Sequence, residues 1–223
     1  MSHAGTEDKL LPSLFPENLE GLRILDVGHG LGQTGLFIRS EFVERGWCEL
    51  YGIDIHPTYH ELQKKIAIYD ELYLGDARER LPYPDNYFHT SIVQHVIEHM
   101  LHRDGVRLLT ELIRVTQNRI IVTTPNGYHR SDPGRHGNTF SEHLSGWSPK
   151  LLERLGYQTR VVTKNVNSRM LQTIARLLFK LQGKIWENQV IVAWKDVEPS
   201  QFSTIQHGMP QTAVEAKLRI NEK

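Results

Sequence analysis

The chain has 223 residues, enough for one domain with a substantial core, and its 39% hydrophobic and 23% charged residues are ordinary for a globular protein. Lys plus Arg balances Asp plus Glu at 26 each, so no global field favours nucleic acid. The single cysteine, Cys48, excludes an intramolecular disulfide and a zinc-binding thiolate cluster, and it points to a reducing, cytoplasmic location.

Residues 1–18 lack the apolar core of a secretion signal and read as a flexible lead-in. The domain is expected over residues 19–197, followed by a polar tail over residues 198–223. Within the domain, short β-rich runs alternate with helical stretches. Strands are expected at Leu22–Val27, Glu49–Ile53, His89–Val93, Arg119–Thr124, Tyr157–Val162 and Gln189–Trp194. Helices are expected at Thr34–Arg45, Tyr59–Tyr69, Gly105–Val115 and Pro149–Leu155. The compact runs Leu22–Val27 and Asn118–Thr123 suit strands covered on both faces, and the alternation implies a parallel sheet with helices on each side. Before the last strand, Ser168–Gln182 reads as an amphipathic helix. Met170, Leu171, Ile174, Leu177, Leu178 and Leu181 share one face, and no Asp or Glu occurs from Gln158 to Trp186. That stripe needs cover: its own sheet edge, a second copy in a homodimer, or peripheral contact of residues 168–184 with an anionic membrane surface. No apolar run reaches the roughly 18–20 residues of a membrane span.

The strongest local signal is Ile24-Leu25-Asp26-Val27-Gly28-His29-Gly30-Leu31-Gly32, a strand running into a glycine turn and then a helix. Glycines let the chain turn sharply and bring its backbone close to a ligand, although tight strand–helix turns also use them for structural reasons alone. Asp26 stands two residues before the first glycine, where it would repel a pyrophosphate and attract a cationic amino group. The next strand ends in Asp54, suited to a ribose diol, with Ile55 offering an apolar face to a purine. Leu74-Gly75-Asp76-Ala77 then places another carboxylate at a further strand end. Open α/β sheets bind ligands along this edge.

In the order and spacing of these motifs, the sequence resembles the class I S-adenosylmethionine-dependent methyltransferases, in particular the type 11 branch. Leu81–Phe88 and Ile92–His99 also resemble blocks of that family. The resemblance implies a Rossmann-like fold with a mostly parallel seven-stranded sheet, and S-adenosyl-L-methionine as cofactor. It implies that the cofactor is held by Asp26, Gly28, His29, Gly30 and Gly32, by Asp54 and Ile55, by Asp76 and Ala77, and by Gln94. His29 replaces the family's usual Cys or Ala, which is tolerated if its imidazole points outward. His89 stands where an Asp commonly follows the Phe.

The sulfonium is already an activated leaving group, so the family fixes the cofactor site better than the catalytic residues. His95 and His99 share a face if Gln94–Leu101 is helical, and each can serve as a general base. The stretch from Thr124 to Trp147 is long enough to cover a substrate. It ends in a His143-x-Ser145-x-Trp147 phrase, in which Trp147 and Ser148 read as packing and capping residues while His143 is left for the acceptor. The sets His95/His99 and His129/His136/His143 invite a metal reading. The spacing within a loop carries no regular geometry, and no metal is expected. The expected activity is methyl transfer to oxygen or nitrogen of a small-molecule, saccharide or lipid-linked acceptor. A non-catalytic binding module and a nicotinamide-dependent oxidoreductase are the competing readings. Asp26 and the lack of a Tyr-x-x-x-Lys pair oppose the second.

Overall fold

The computed structural model describes residues 6–131, 139–163 and 189–198. The stretch 168–184, His136 and all of the expected tail except Glu198 lie outside the described residues. Strands β1 (Arg23–Val27), β2 (Glu49–Asp54), β3 (Glu71–Leu74), β4 (Phe88–Gln94), β5 (Thr116–Pro125), β6 (Gln158–Thr163) and β7 (Gln189–Asp196) form one sheet in the order β3-β2-β1-β4-β5-β7-β6. The first five strands pair in parallel, and β7 inserts antiparallel between β5 and β6. The helices are α1 (Thr6–Ser13), α2 (Gln33–Glu41), α3 (Pro57–Ile66), α4 (His102–Val115) and α5 (Pro149–Arg154). Among the described residues, no helix is long and apolar enough to cross a membrane.

The β-branched runs form central strands because both of their faces are covered. Leu25, Val27, Ile120, Val122, Ile191 and Ala193 join one core layer, while Ile24, Ile121, Val190 and Val192 join the layer on the opposite face. This is the period-two alternation of a strand, with apolar residues on both sides. Helix α4 buries Gly105, Leu108, Leu109, Leu112 and Val115, the spacing of one helical face. Gly105 meets the fully buried Trp147, and a Cβ there would lie 2.5 Å from the indole. Gly105→Ala is therefore expected to destabilise the fold by about 1–3 kcal/mol in urea unfolding, the usual cost of overpacking.

Two expectations need correction. The lead-in is not simply flexible: Thr6–Ser13 is helical, and Leu11, Leu14 and Phe15 are buried against the second core layer. The guanidiniums of Arg45 and Arg119 donate to main-chain carbonyls of Pro12, Phe15, Pro16 and Leu14, which ties this segment to the sheet. The second helix also stops early. It ends at Glu41, and a separate 3-10 turn covers Val43–Arg45.

Candidate active site

The carboxyl ends of β1, β2, β3 and β4 lie side by side and bring the glycine loop, Asp54, Asp76 and Gln94–His95 to one edge. The loop is fixed from below by the N–H groups of Gly28 and His29, which donate to the Ile53 carbonyl at 2.7 and 3.3 Å. Gly28, Gly30 and Gly32 all have positive φ (74°, 49° and 81°), a conformation that favours glycine. Their surroundings differ. A Cβ on Gly28 would strike Val96 at 2.3 Å, whereas one on Gly30 would meet nothing closer than the Gly28 oxygen at 3.9 Å. Gly30 thus borders open space in which a ligand can approach the backbone. Asp54 holds this loop, accepting the Gly30 N–H at 2.8 Å and the His56 N–H at 2.7 Å. Ile55 beside it is half-buried.

Asp76 is gripped by Arg78, which the sequence reading missed. The guanidinium donates to both carboxylate oxygens, with contacts of 2.6 and 2.9 Å, and the Arg78 N–H adds another at 2.9 Å. Burial works against the ionised form, but Arg78 outweighs it and holds the carboxyl below its usual range. An adenine amino group reaching Asp76 would share it with Arg78. Ala77 is buried. Gln94 turns its amide oxygen to the Thr34 hydroxyl at 2.7 Å, joining the end of β4 to the start of α2.

Two loop residues depart from expectation. Asp26 is not exposed at the edge: it is completely buried beneath the loop, where its Oδ2 accepts the Tyr69 O–H at 2.6 Å and its Oδ1 has no partner. Burial pushes its carboxyl up to about 7, and the nearby Asp54 charge adds to the rise against the Tyr69 hydrogen bond. Its place is to support the loop, because Tyr69 also accepts the Gly35 N–H at 3.2 Å. His29 does not point outward. It is 3% exposed and packs against Tyr69 and His60, with ring centroids 5.4 and 6.4 Å away. Desolvation lowers its pKa and favours the neutral ring.

On the acceptor side, Gln94–Leu101 is not a helix, so His95 and His99 do not share a helical face. His95 sits at the end of β4 with φ 53°, and a 3-10 turn follows at Ile97–His99. The His95 Nδ1 lies 3.1 Å from Oε1 of Glu98, whose Oε2 accepts the Thr124 hydroxyl at 3.0 Å. Glu98 is 2% exposed, and its main-chain oxygen accepts the N–H groups of Leu144 and Ser145. Burial opposes its charged form, but His95 outweighs burial and keeps the carboxyl below its usual range. The partner of His99 is His143, with ring centroids 4.8 Å apart at 67°. Contrary to expectation, His143 also has a structural tie, its Nδ1 lying 2.7 Å from the His129 carbonyl. Trp147 and Ser148 take the packing and capping places expected of them. The indole N–H reaches Ile97 O and Ser145 Oγ, and the Ser148 hydroxyl accepts the Leu151 N–H.

Gly30, Ile55 and Asp76 are partly exposed at the strand edge, and Asp54 lies just behind it, 8% exposed and accepting the Gly30 and His56 N–H groups. This set suits S-adenosylmethionine, whereas Asp26 is fully buried. Residues 25–121 match the methyltransferase domain family of type 11. Ajmaline N-methyltransferase from Rauvolfia serpentina is 28% identical over 124 residues, covering 52% of this chain and 40% of that enzyme. The chain thus spans less than half the length of this curated relative. Among solved structures, phosphoethanolamine N-methyltransferase 2 of Haemonchus contortus, in complex with phosphomonomethylethanolamine and S-adenosylhomocysteine, superposes with a TM-score of 0.58. The two are 15% identical, and the match covers 87% of this chain and 52% of that one. The [4+2]-cyclase SpnF gives a TM-score of 0.57 at 16% identity, over 86% and 81% of the two chains. At such identities the likeness speaks for the fold. The matched segment, though, carries the glycine loop, the strand-end acids and the His95–Glu98 pair, and the sheet around it is mostly parallel with seven strands. Residues 25–121 therefore resemble the methyltransferase domain family, and they sit on the fold of S-adenosylmethionine-dependent methyltransferases of known structure.

Proposed function

We propose that the chain transfers a methyl group from S-adenosylmethionine to oxygen or nitrogen of a small-molecule, saccharide or lipid-linked acceptor. The observation that carries this reading is the single strand edge on which the Asp54-anchored glycine loop lies beside the Glu98-anchored His95. The cofactor supplies an activated methyl group, so the chain's own residues need only bind, align and shield. Asp54 orients the ribose while fixing Gly30. His95 meets the acceptor, because Glu98 on Nδ1 leaves the Nε2 lone pair for an acceptor hydrogen. The Rauvolfia and Haemonchus relatives are named as N-methyltransferases of small molecules, which supports a small acceptor.

Asp54→Ala is expected to weaken S-adenosylmethionine binding by about 1.5–3 kcal/mol, the range for hydrogen bonds to a charged group. Calorimetry checks this, and unchanged affinity would mean that the ribose contact is misplaced. The activity itself is tested by following S-adenosylhomocysteine release over a panel of hydroxyl and amine acceptors. Tight cofactor binding with no release above the acceptor-free rate across the panel would favour a non-methylating use of the fold.

A further inference from the structure

Beside the Glu98-anchored His95, one cluster of side chains has an arrangement that methyl transfer does not require. One potential ligand atom from each of Glu98, His99 and His143 lies within 4.8 Å of the others. These residues come from two separate segments, joined where the Leu144 and Ser145 N–H groups bond to the Glu98 carbonyl at 2.8 and 3.1 Å. Both rings are held the same way. His99 Nδ1 lies 3.0 Å from the Glu142 carbonyl, and His143 Nδ1 lies 2.7 Å from the His129 carbonyl. A carbonyl only accepts, so each Nδ1 carries the proton and each Nε2 keeps its lone pair. Metal-ligating histidines are typically fixed in this manner, with one ring nitrogen on a carbonyl or carboxylate. The carboxylate is fixed as well, by His95 on one oxygen and Thr124 on the other.

The geometry points to a divalent transition-metal site formed by Glu98, His99 and His143, taking Zn2+ or a close relative. Two imidazoles and one carboxylate form a nitrogen–oxygen donor set that suits such ions rather than Mg2+ or Ca2+. Bonds of about 2.0–2.2 Å would set the ligands closer together than they stand here, so binding draws the rings inward by side-chain rotation. The rings are half-buried, which leaves them room to turn. Three protein ligands leave positions open for water or for an oxygen of the acceptor. That last role rests on the methyl-transfer reading, whereas the metal site itself does not.

The test is titration of the full chain, free of any histidine tag, with Zn2+ by calorimetry and with Co2+ by visible absorption. Wild type is expected to take up one ion per chain with a Co2+ spectrum of mixed nitrogen and oxygen ligation. His99→Ala and His143→Ala should each weaken binding by at least about tenfold, the lower end for loss of a supporting partner alone. Glu98→Gln should do the same, and His89→Ala, at the far end of β4, should bind as wild type. Circular dichroism of the metal-free variants separates lost ligation from lost folding, and the half-buried rings make His99→Ala and His143→Ala the safer pair. Absence of stoichiometric uptake by wild type, or equal uptake by both histidine variants, overturns the site. S-adenosylmethionine affinity of wild type, His99→Ala and His143→Ala measured on the same samples is expected to be unchanged, so the two readings can fail separately.

Discussion

Asp26→Asn is expected to stabilise the ligand-free protein above pH 7 by up to about 4 kcal/mol and to change it little near pH 4. The folded carboxyl titrates at about 7 against an ordinary value of 3.8, chiefly because it is buried. The folded state therefore holds its proton more tightly than the unfolded chain does. Stability is greatest below pH 3.8 and falls as the pH rises between the two values. Above pH 7 the full cost of a buried, half-satisfied carboxylate is present. Roughly three pH units at 1.36 kcal/mol each give the quoted size. Asparagine keeps an oxygen for the Tyr69 O–H and removes the charge. Urea unfolding of both proteins at pH 4 and pH 8.5 checks it, and an equal difference at the two pH values would show that the charge is not the cause.

His95→Ala is expected to lower turnover about 100-fold, with cofactor affinity nearly intact. The residue is held in three ways: by its place at the end of β4, by its N–H on the Thr123 carbonyl at 2.9 Å, and by Glu98 on the ring. Its positive φ is uncommon for a residue with a side chain and marks a place where the surroundings determine the backbone. Steady-state kinetics paired with calorimetry distinguishes the roles. A loss in kcat alone places His95 at the acceptor. Equal losses in turnover and cofactor affinity would place it in the cofactor site or the scaffold.

The parts of this molecule that were legible in the sequence are those governed by local pattern. Compact β-branched runs announced six strands, and the acid–glycine spacing located the loop and the acids after β2 and β3. The strand β3 itself, Glu-Leu-Tyr-Leu, is short and largely exposed, so only the acid after it gave it away. Helix α1 was hidden because Pro12 and a brief apolar stripe resemble a linker, and its burial depends on a sheet face formed much later in the chain. The position of Asp26 was read too directly. Its spacing is that of the family, but Tyr69, which turns it inward, comes from a segment that no motif marks. Arg78 next to Asp76 was visible in the sequence, and a short-range acid–arginine pair was the signal available. The meeting of His99 with His143 was not legible, because it depends on the path of a loop with no periodicity. The His95–His99 pairing failed for the complementary reason: it assumed a helix where the left-handed His95 turns the chain into a short 3-10 segment.

On the reading proposed above, the edge formed by Gly30, Asp54 and Asp76 holds S-adenosylmethionine. Calorimetric titration of wild type and Asp54→Ala with S-adenosylmethionine, S-adenosylhomocysteine and NAD tests it most directly. Saturable binding of the first two ligands at a single site is expected, weakened in Asp54→Ala, with no binding of NAD. Preferential binding of NAD, or no binding of S-adenosylmethionine by folded wild-type protein, would contradict it.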